Sequence, residues 1–304
     1  MPVSRFPDWD SFEIAPGTAD CPVAFGGDLS PDSVLSAYRR GIVPFPAATG
    51  YLRDVNEFRY EDEVAAGLIG LVGDPGDDPY RAAWWCPDPR PLIGVGEVHL
   101  GRNARKQLRH GDVWTTADQA YLRVAEQCRA DREPRWLTDT LLASLLELHR
   151  AGWAHSIEVW EDGDLVGGAL AVGVARLLSG DSMFSRRPDA ARIAVADMAA
   201  RFAEADGLVI DAQWDSPFLR SLGAELLPRA DYLRLLPVPA VRIPLPTRRL
   251  PARRLIEPTG ELFLAESVGF EPTVPVTRHS SFQDYRHRPL GELSSARRTA
   301  PNQE

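Results

Sequence analysis

The chain has little cysteine, no long apolar run and none of the common cofactor loops. Its three cysteines, Cys21, Cys86 and Cys128, are scattered. That scatter gives neither a zinc spacing nor a disulfide framework, and it fits a cytoplasmic protein. No apolar stretch reaches the roughly 18 residues of a membrane helix, so no membrane partner is expected. The opening residues, Met1-Pro2-Val3-Ser4-Arg5-Phe6-Pro7-Asp8, lack the apolar core of a signal peptide. There is no Walker loop, no GxGxxG, no HExxH and no GxSxG, which removes the usual signatures of nucleotide, zinc-protease and serine-hydrolase chemistry. His149 and His155 stand alone and are not read as metal ligands. Neither a metal nor a cofactor is expected.

What is present is a chain of 304 residues, long enough for one large domain or two smaller ones. Its 44% hydrophobic and 25% charged residues fit a globular protein. The net charge of -9 argues against general nucleic-acid binding. A local basic patch stays open, because a polyanion meets the local field.

Residues 26–41 read as a helix, with Ser30 as N-cap, Pro31 at the first position, Val34, Leu35 and Tyr38 as the apolar stripe and Gly41 as the stop. Residues 51–82 are acidic, include Gly73-Asp74-Pro75-Gly76-Asp77-Asp78-Pro79, and read as an insertion or mobile loop. A second domain is expected from about residue 83. It holds a short basic helix (101–110), a helix at 117–130 with Tyr121, Val124, Ala125 and Cys128 on one face, and a helix at 139–151 capped by Thr138. Strands then dominate. His155–Trp160 turns through Asp162-Gly163 into Leu165–Val174. A helix over 188–205 leads to a strand at Val209–Gln213, and Ala230–Leu236 ends the regular pattern. This order predicts a mixed α/β (α+β) sheet. From 241 a Pro/Arg-rich linker leads into a tail expected to be disordered. The expected domains are thus 1–82, 83–240 and 241–304.

Asp211 and Gln213 end an apolar strand, and strand alternation puts them on one face. A carboxylate beside a carboxamide suits proton handling, and equally a structural hydrogen-bond pair. Arg102, Arg105, Lys106 and Arg109 fall at i, i+3, i+4 and i+7 with no acid between Gly101 and Gly111. Like charges at that spacing weaken a helix, so the face suits a phosphate backbone or is simply solvated. Gly180-Asp181-Ser182-Met183-Phe184-Ser185 reads as a strand opening onto a pocket, or as a hairpin end with buried Met and Phe. Phe45, Trp84, Trp85 and Trp136 lie beside turns, where they pack in a core or stack on a base. Val166-Gly167-Gly168-Ala169 reads as a bulge or a close backbone approach.

Eight blocks in order resemble the leucyl/phenylalanyl-tRNA–protein transferase family over about residues 22–236. They are Gly26-Gly27-Asp28-Leu29-Ser30-Pro31, Ala37-Tyr38-Arg39-Arg40-Gly41-Ile42, Trp84-Trp85-Cys86-Pro87-Asp88-Pro89-Arg90, Ala154-His155-Ser156-Ile157-Glu158-Val159-Trp160, Leu165-Val166-Gly167-Gly168, Gly180-Asp181-Ser182-Met183-Phe184-Ser185, Ile210-Asp211-Ala212-Gln213 and Ser221-Leu222-Gly223-Ala224. The resemblance implies a small N-terminal domain joined to an N-acetyltransferase-like domain. It implies transfer of Leu, Phe or Met from aminoacyl-tRNA to the α-amine of a protein beginning with Arg or Lys, which marks that protein as an N-degron. A monomer is expected. Gln213 would accept a hydrogen bond from the attacking amine, with Asp211 orienting the amine or relaying its proton. Gly180, Asp181 and Ser182 would border the pocket, and Tyr38, Phe45 and Trp136 would flank the aminoacyl-adenosine end. Leu178 and Met183 would stand near an apolar aminoacyl pocket, Asp181 would meet the acceptor's Arg or Lys, and the basic helix would clamp the acceptor stem. Phe45 stands where the family usually has Trp, and Asp181 where it has Glu. Leu145 and Leu178 replace aromatics, and the 51–82 segment is longer. Two other readings remain open on the residues alone: an acyl-CoA-dependent N-acyltransferase and a non-catalytic tRNA or N-terminus binding module.

Overall fold

Four short strands open the fold: β1 (Ala24–Gly26), β2 (Val43–Pro46), β3 (Gly70–Val72) and β4 (Ala82–Trp85). They form a sheet in the order β2-β4-β1-β3. The computed structural model describes residues 9–15, 19–74, 76–130, 134–236 and 241–257. Helix α1 (Pro31–Arg39) begins as its sequence predicts, with the Ser30 side chain accepting from the Ser33 N–H and Pro31 in the first turn. The 51–82 segment differs from the loop its composition suggests. Helix α2 (Gly50–Ala65) fills nearly half of it, capped by Thr49, and Arg53 pairs with Asp54, Glu57 and Asp78. Charge pairing and one buried ring, Tyr60 against Phe25, hold a helix whose apolar period is too weak to read.

The larger sheet uses β5 (Arg90–Gly94), β6 (Val113–Ala117), β7 (Ala154–Glu161), β8 (Asp164–Val174), β9 (Leu177–Ser185), β10 (Val209–Asp211), β11 (Glu225–Leu227) and β12 (Leu250–Pro251). Their order is β11-β5-β10-β9-β8-β7-β6-β12. Among the described pairs of this sheet, β9 and β10 alone run parallel, joined by helix α6 (Ala190–Glu204). This is the mixed α/β class expected. Strand β8 shows how the sheet is covered on both faces. Leu170 and Val172 enter one hydrophobic cluster, with α1, α4 (Tyr121–Arg129) and α5 (Asp139–Arg150). Ala169 and Ala171 enter another, with α6 and α3 (Gly101–His110). The glycine pair is close packing, as one of its readings had it: a Cβ on Gly167 would lie 2.6 Å from that of Ala190.

The expected boundary at residue 83 falls inside β4, and the first cluster runs from Trp9 and Val23 to Leu148 and Phe184. Residues 241–257, expected as linker, are built into the fold. β12 pairs with β6, Leu245 and Ala252 are buried, and Arg254 reaches the buried Asp197 at 2.5 Å. Arg248 and Arg253 of this segment also meet carboxylates, those of Glu204 and Glu257. The stretch after Pro228 forms a helix, α8 (Arg229–Leu235), preceded by the short α7 (Pro217–Ser221). The expectation of a disordered tail lies, from residue 258 on, outside the described residues. No helix among the described residues is long and apolar enough to cross a membrane.

Candidate active site

The parallel pair ends at Ser179 opposite Asp211. Beyond it the two strands part. β9 stays paired to β8 through a bulge: Ala171 faces Gly180 and Leu170 faces Ser182, which leaves Asp181 without a partner. Bulges re-aim a side chain and are frequent beside active sites. β10 stops at Asp211, short of the expected Gln213, because Gln213 takes a left-handed backbone with φ +62°. That turn folds its N–H back onto Asp211 Oδ1 at 2.9 Å. The two residues therefore meet through the backbone, not by strand alternation.

Asp211 is fully buried. Arg90 donates to both its oxygens, at 2.8 and 2.7 Å, and the Tyr232 hydroxyl adds a bond at 3.0 Å. Burial works against the Arg90 charge, and Asp211 more than restores it, so Arg90 stays above its ordinary pKa. Burial likewise holds Tyr232 well above its usual range, with the Arg90 charge opposing that shift. Asp211 thus has its acceptor sites filled and stands behind Gln213.

Gln213 uses its carboxamide nitrogen on Ser179 Oγ (3.0 Å) and Asp181 Oδ1 (2.8 Å). The Tyr38 hydroxyl donates to the same Asp181 oxygen at 2.7 Å. Neither Gln213 Oε1 nor Asp181 Oδ2 takes a hydrogen bond from the described residues. Burial pushes the Asp181 carboxyl up to about 7, against the two hydrogen bonds and with help from the Asp211 charge. Burial and the neighbouring Asp181 raise Tyr38 well above its usual range, so it stays a donor.

The same strand ends carry an apolar recess on their other side. Ile93, Ala169, Met183, Val195, Met198 and Ile210 line it, with Gly180, Ser182 and Ala212 at the strand ends. Ser182 Oγ is buried with no hydrogen-bond partner among the described residues. Leu178 is packed in the cluster beneath and is not a lining residue. Phe45 and Trp136 stand with ring centroids 6.0 Å apart, and Trp214 meets Phe45 edge-on at 5.5 Å. Arg102, Arg105, Lys106 and Arg109 are exposed on α3, opposite the buried Ala104 and Leu108, with no ion pair among the described residues. His155 is engaged with Asp118 at 2.8 Å, and no group of three metal-binding side chains occurs among the described residues.

A family model described as leucyl/phenylalanyl-tRNA protein transferase matches residues 92–237. The leucyl/phenylalanyl-tRNA–protein transferase of Azoarcus sp. (strain BH72) is 37% identical over 213 residues, 69% of this chain and 78% of that protein. The chain belongs to the leucyl/phenylalanyl-tRNA–protein transferase family. The member from Stutzerimonas stutzeri (strain A1501) is 34% identical over 217 residues, 70% of this chain and 83% of that protein. This family member is therefore an aminoacyltransferase, with aminoacyl-tRNA and a protein as its substrates. Among solved structures, a GCN5-related N-acetyltransferase from Kribbella flavida aligns with TM-score 0.30 at 14% identity, over 47% of this chain and 54% of that one. The C-terminal domain of a lysylphosphatidylglycerol synthetase from Agrobacterium fabrum aligns with TM-score 0.34 at 12% identity, over 49% and 62%. Likenesses this slight decide nothing about the site.

Sequence reasoning missed Arg90, Tyr232, Ser179 and Trp214. Arg90 lies 121 residues from the carboxylate it holds, and no local pattern announces that pairing. Trp214 follows Gln213 directly, and its position beside the proposed pair was the available signal.

Proposed function

We propose that this family member moves Leu or Phe, and Met as a third donor, from tRNA to the α-amine of proteins that begin with Arg or Lys, creating an N-degron. The observation that carries this reading is the Asp181–Gln213–Tyr38 cluster backed by an apolar recess. Burying a Leu or Phe side chain there contributes about 1.5–3 kcal/mol to holding the donor. Phe45 and Trp136 offer ring faces to the terminal adenosine.

A free α-amine has a pKa of about 7.7–8.0, so its proton must leave before attack. Asp181, held near 7, is matched to that task and is the carboxylate with an open oxygen. Asp181 meets the acceptor's positive charge and takes the ammonium proton, while Gln213 Oε1 aligns the amine. The amine nitrogen bonds the ester carbonyl carbon and the ester C–O bond breaks; of the two protons the nitrogen loses, one ends on the ribose oxygen that leaves and the other passes from Asp181 to solvent. Asp211 is a positioning residue in this scheme, since its oxygens are already filled. The ester-to-amide step runs downhill, and orientation can supply up to about 7–11 kcal/mol of the barrier in favourable cases.

The deciding experiment is transfer of labelled Phe from Phe-tRNA to an Arg-initiated peptide, run beside acetyl transfer from acetyl-CoA. Acetyl transfer alone would overturn the reading. The basic face of α3 fits the tRNA backbone, which it would read by charge and not by sequence. Reversing Arg105 and Lys106 to Glu is expected to weaken tRNA binding and flatten its dependence on salt, with peptide binding unchanged. Filter binding across a salt series checks this, and unchanged tRNA affinity removes the clamp.

A further inference from the structure

Helix α2 has no part in the chemistry above, yet one side of it is tied to the site. Tyr60 is its one buried side chain. Tyr60 meets Trp85 with ring centroids 6.4 Å apart, Trp85 meets Trp214 at 6.4 Å, and Trp214 adjoins Gln213. The helix also starts four residues after the strand that holds Phe45. Its other side is open. Tyr51 and Phe58 are 60% and 59% exposed, and at i and i+7 they share a face. Exposed Asp54, Glu61 and Asp62 fall on that face at i+3, i+10 and i+11. Leu68 and Leu71, at 46% and 58% exposure, continue past the helix end. The helix carries five carboxylates against two arginines. Arg53 is engaged by three carboxylates, and Arg59 lies 5.3 Å over the Tyr60 ring.

We propose that this outer face of α2 docks the acceptor polypeptide, in the extended stretch that follows its N-terminal residue. The inference rests on the transfer reading of the site. Two aromatics and a surplus of carboxylates suit a chain bearing Lys or Arg together with apolar side chains. The same charge repels a phosphate backbone, while α3 attracts one, so the two substrates are sorted by sign. The row of rings from Tyr60 through Trp85 to Trp214 ties the inner side of the helix to Gln213, and the docking face is the outer side of that same helix.

The test is made on the full chain with Tyr51→Ser, Phe58→Ser and Glu61→Lys combined. All three positions are exposed, so folding is little affected. Two acceptors are compared, an Arg-initiated dipeptide and a basic, apolar peptide of about a dozen residues. The KM for the long peptide is expected to rise roughly tenfold, the effect of losing a hot-spot aromatic. The KM for the dipeptide, the KM for Phe-tRNA and kcat stay within twofold. An unchanged KM for the long peptide overturns the proposal. So does an equal rise for the dipeptide, which would place the effect in the site itself. If the unaltered protein is a dimer that the variant dissolves, the face is a self-interface and the proposal is again overturned. Should the unaltered protein transfer to neither acceptor, the transfer reading fails by itself. Binding of the labelled long peptide to both proteins then decides the docking face directly.

Discussion

Asp181→Asn is expected to cut the transfer rate by about 10²–10⁴-fold, the usual span for losing a positioned acid or base. Binding of aminoacyl-tRNA should stay within about twofold, because the recess and the basic helix are untouched. Asparagine keeps the shape and can still accept from Tyr38, so a loss would report the charge and not the packing. Asp181→Glu should retain activity, since Glu is what the family resemblance puts at this position. A stability readout runs the other way. The Asp181 carboxyl is raised to about 7 from an ordinary 3.8. Folding therefore favours its protonated form. The stability it contributes is complete below about pH 4 and is lost as pH rises through about 7. The unaltered protein should lose more melting temperature than Asp181→Asn between pH 5 and pH 8. Equal slopes for the two proteins would show that the carboxyl is not held in this way. The rate of the unaltered enzyme should also rise with pH through about 7, as the carboxylate becomes free to take a proton.

Much of the framework could be read from the chain because its signals are local. Thr138 and Ser30 cap the helices they were expected to cap, and the Asp162-Gly163 turn joins the two strands it was expected to join. The recess and the polar cluster were legible in part. Gly180, Ser182 and Met183 line the recess, and Asp181, Gln213 and Tyr38 meet in one cluster. The rest depends on contacts far apart in sequence. Leu178 has the composition of a lining residue and shares a face of β9 with Gly180, but it lies two residues deeper along the strand, packed in the core with Ile93 and Ile210. Asp211 looks free in the sequence because Arg90 and Tyr232 come from β5 and α8. Helix α2 was hidden because its cohesion comes from Arg53 bridging three carboxylates, which no apolar period records.

Asp211→Asn is expected to lose transfer for a different reason, by destabilising the fold by about 3–5 kcal/mol. Arg90 and Asp211 are both fully buried, so removing one charge strands the other away from water. Such a loss is a large share of a typical stability of about 5–15 kcal/mol. The pair as a whole is worth less than either half implies, because both ions gave up hydration to form it. Replacing both together, Arg90→Met with Asp211→Leu, should therefore recover most of the stability. Activity should not return with it. The Gln213 N–H would have no Oδ1 to meet, and the left-handed turn at φ +62° would have lost its tether. Gln213 would then leave Asp181 and Ser179 free to move apart. Urea unfolding of the three proteins, with transfer measured where all are folded, separates the two effects. If Asp211→Asn instead keeps the stability of the unaltered protein and loses only kcat, Asp211 acts on the substrate itself, and its place behind Gln213 is not its role.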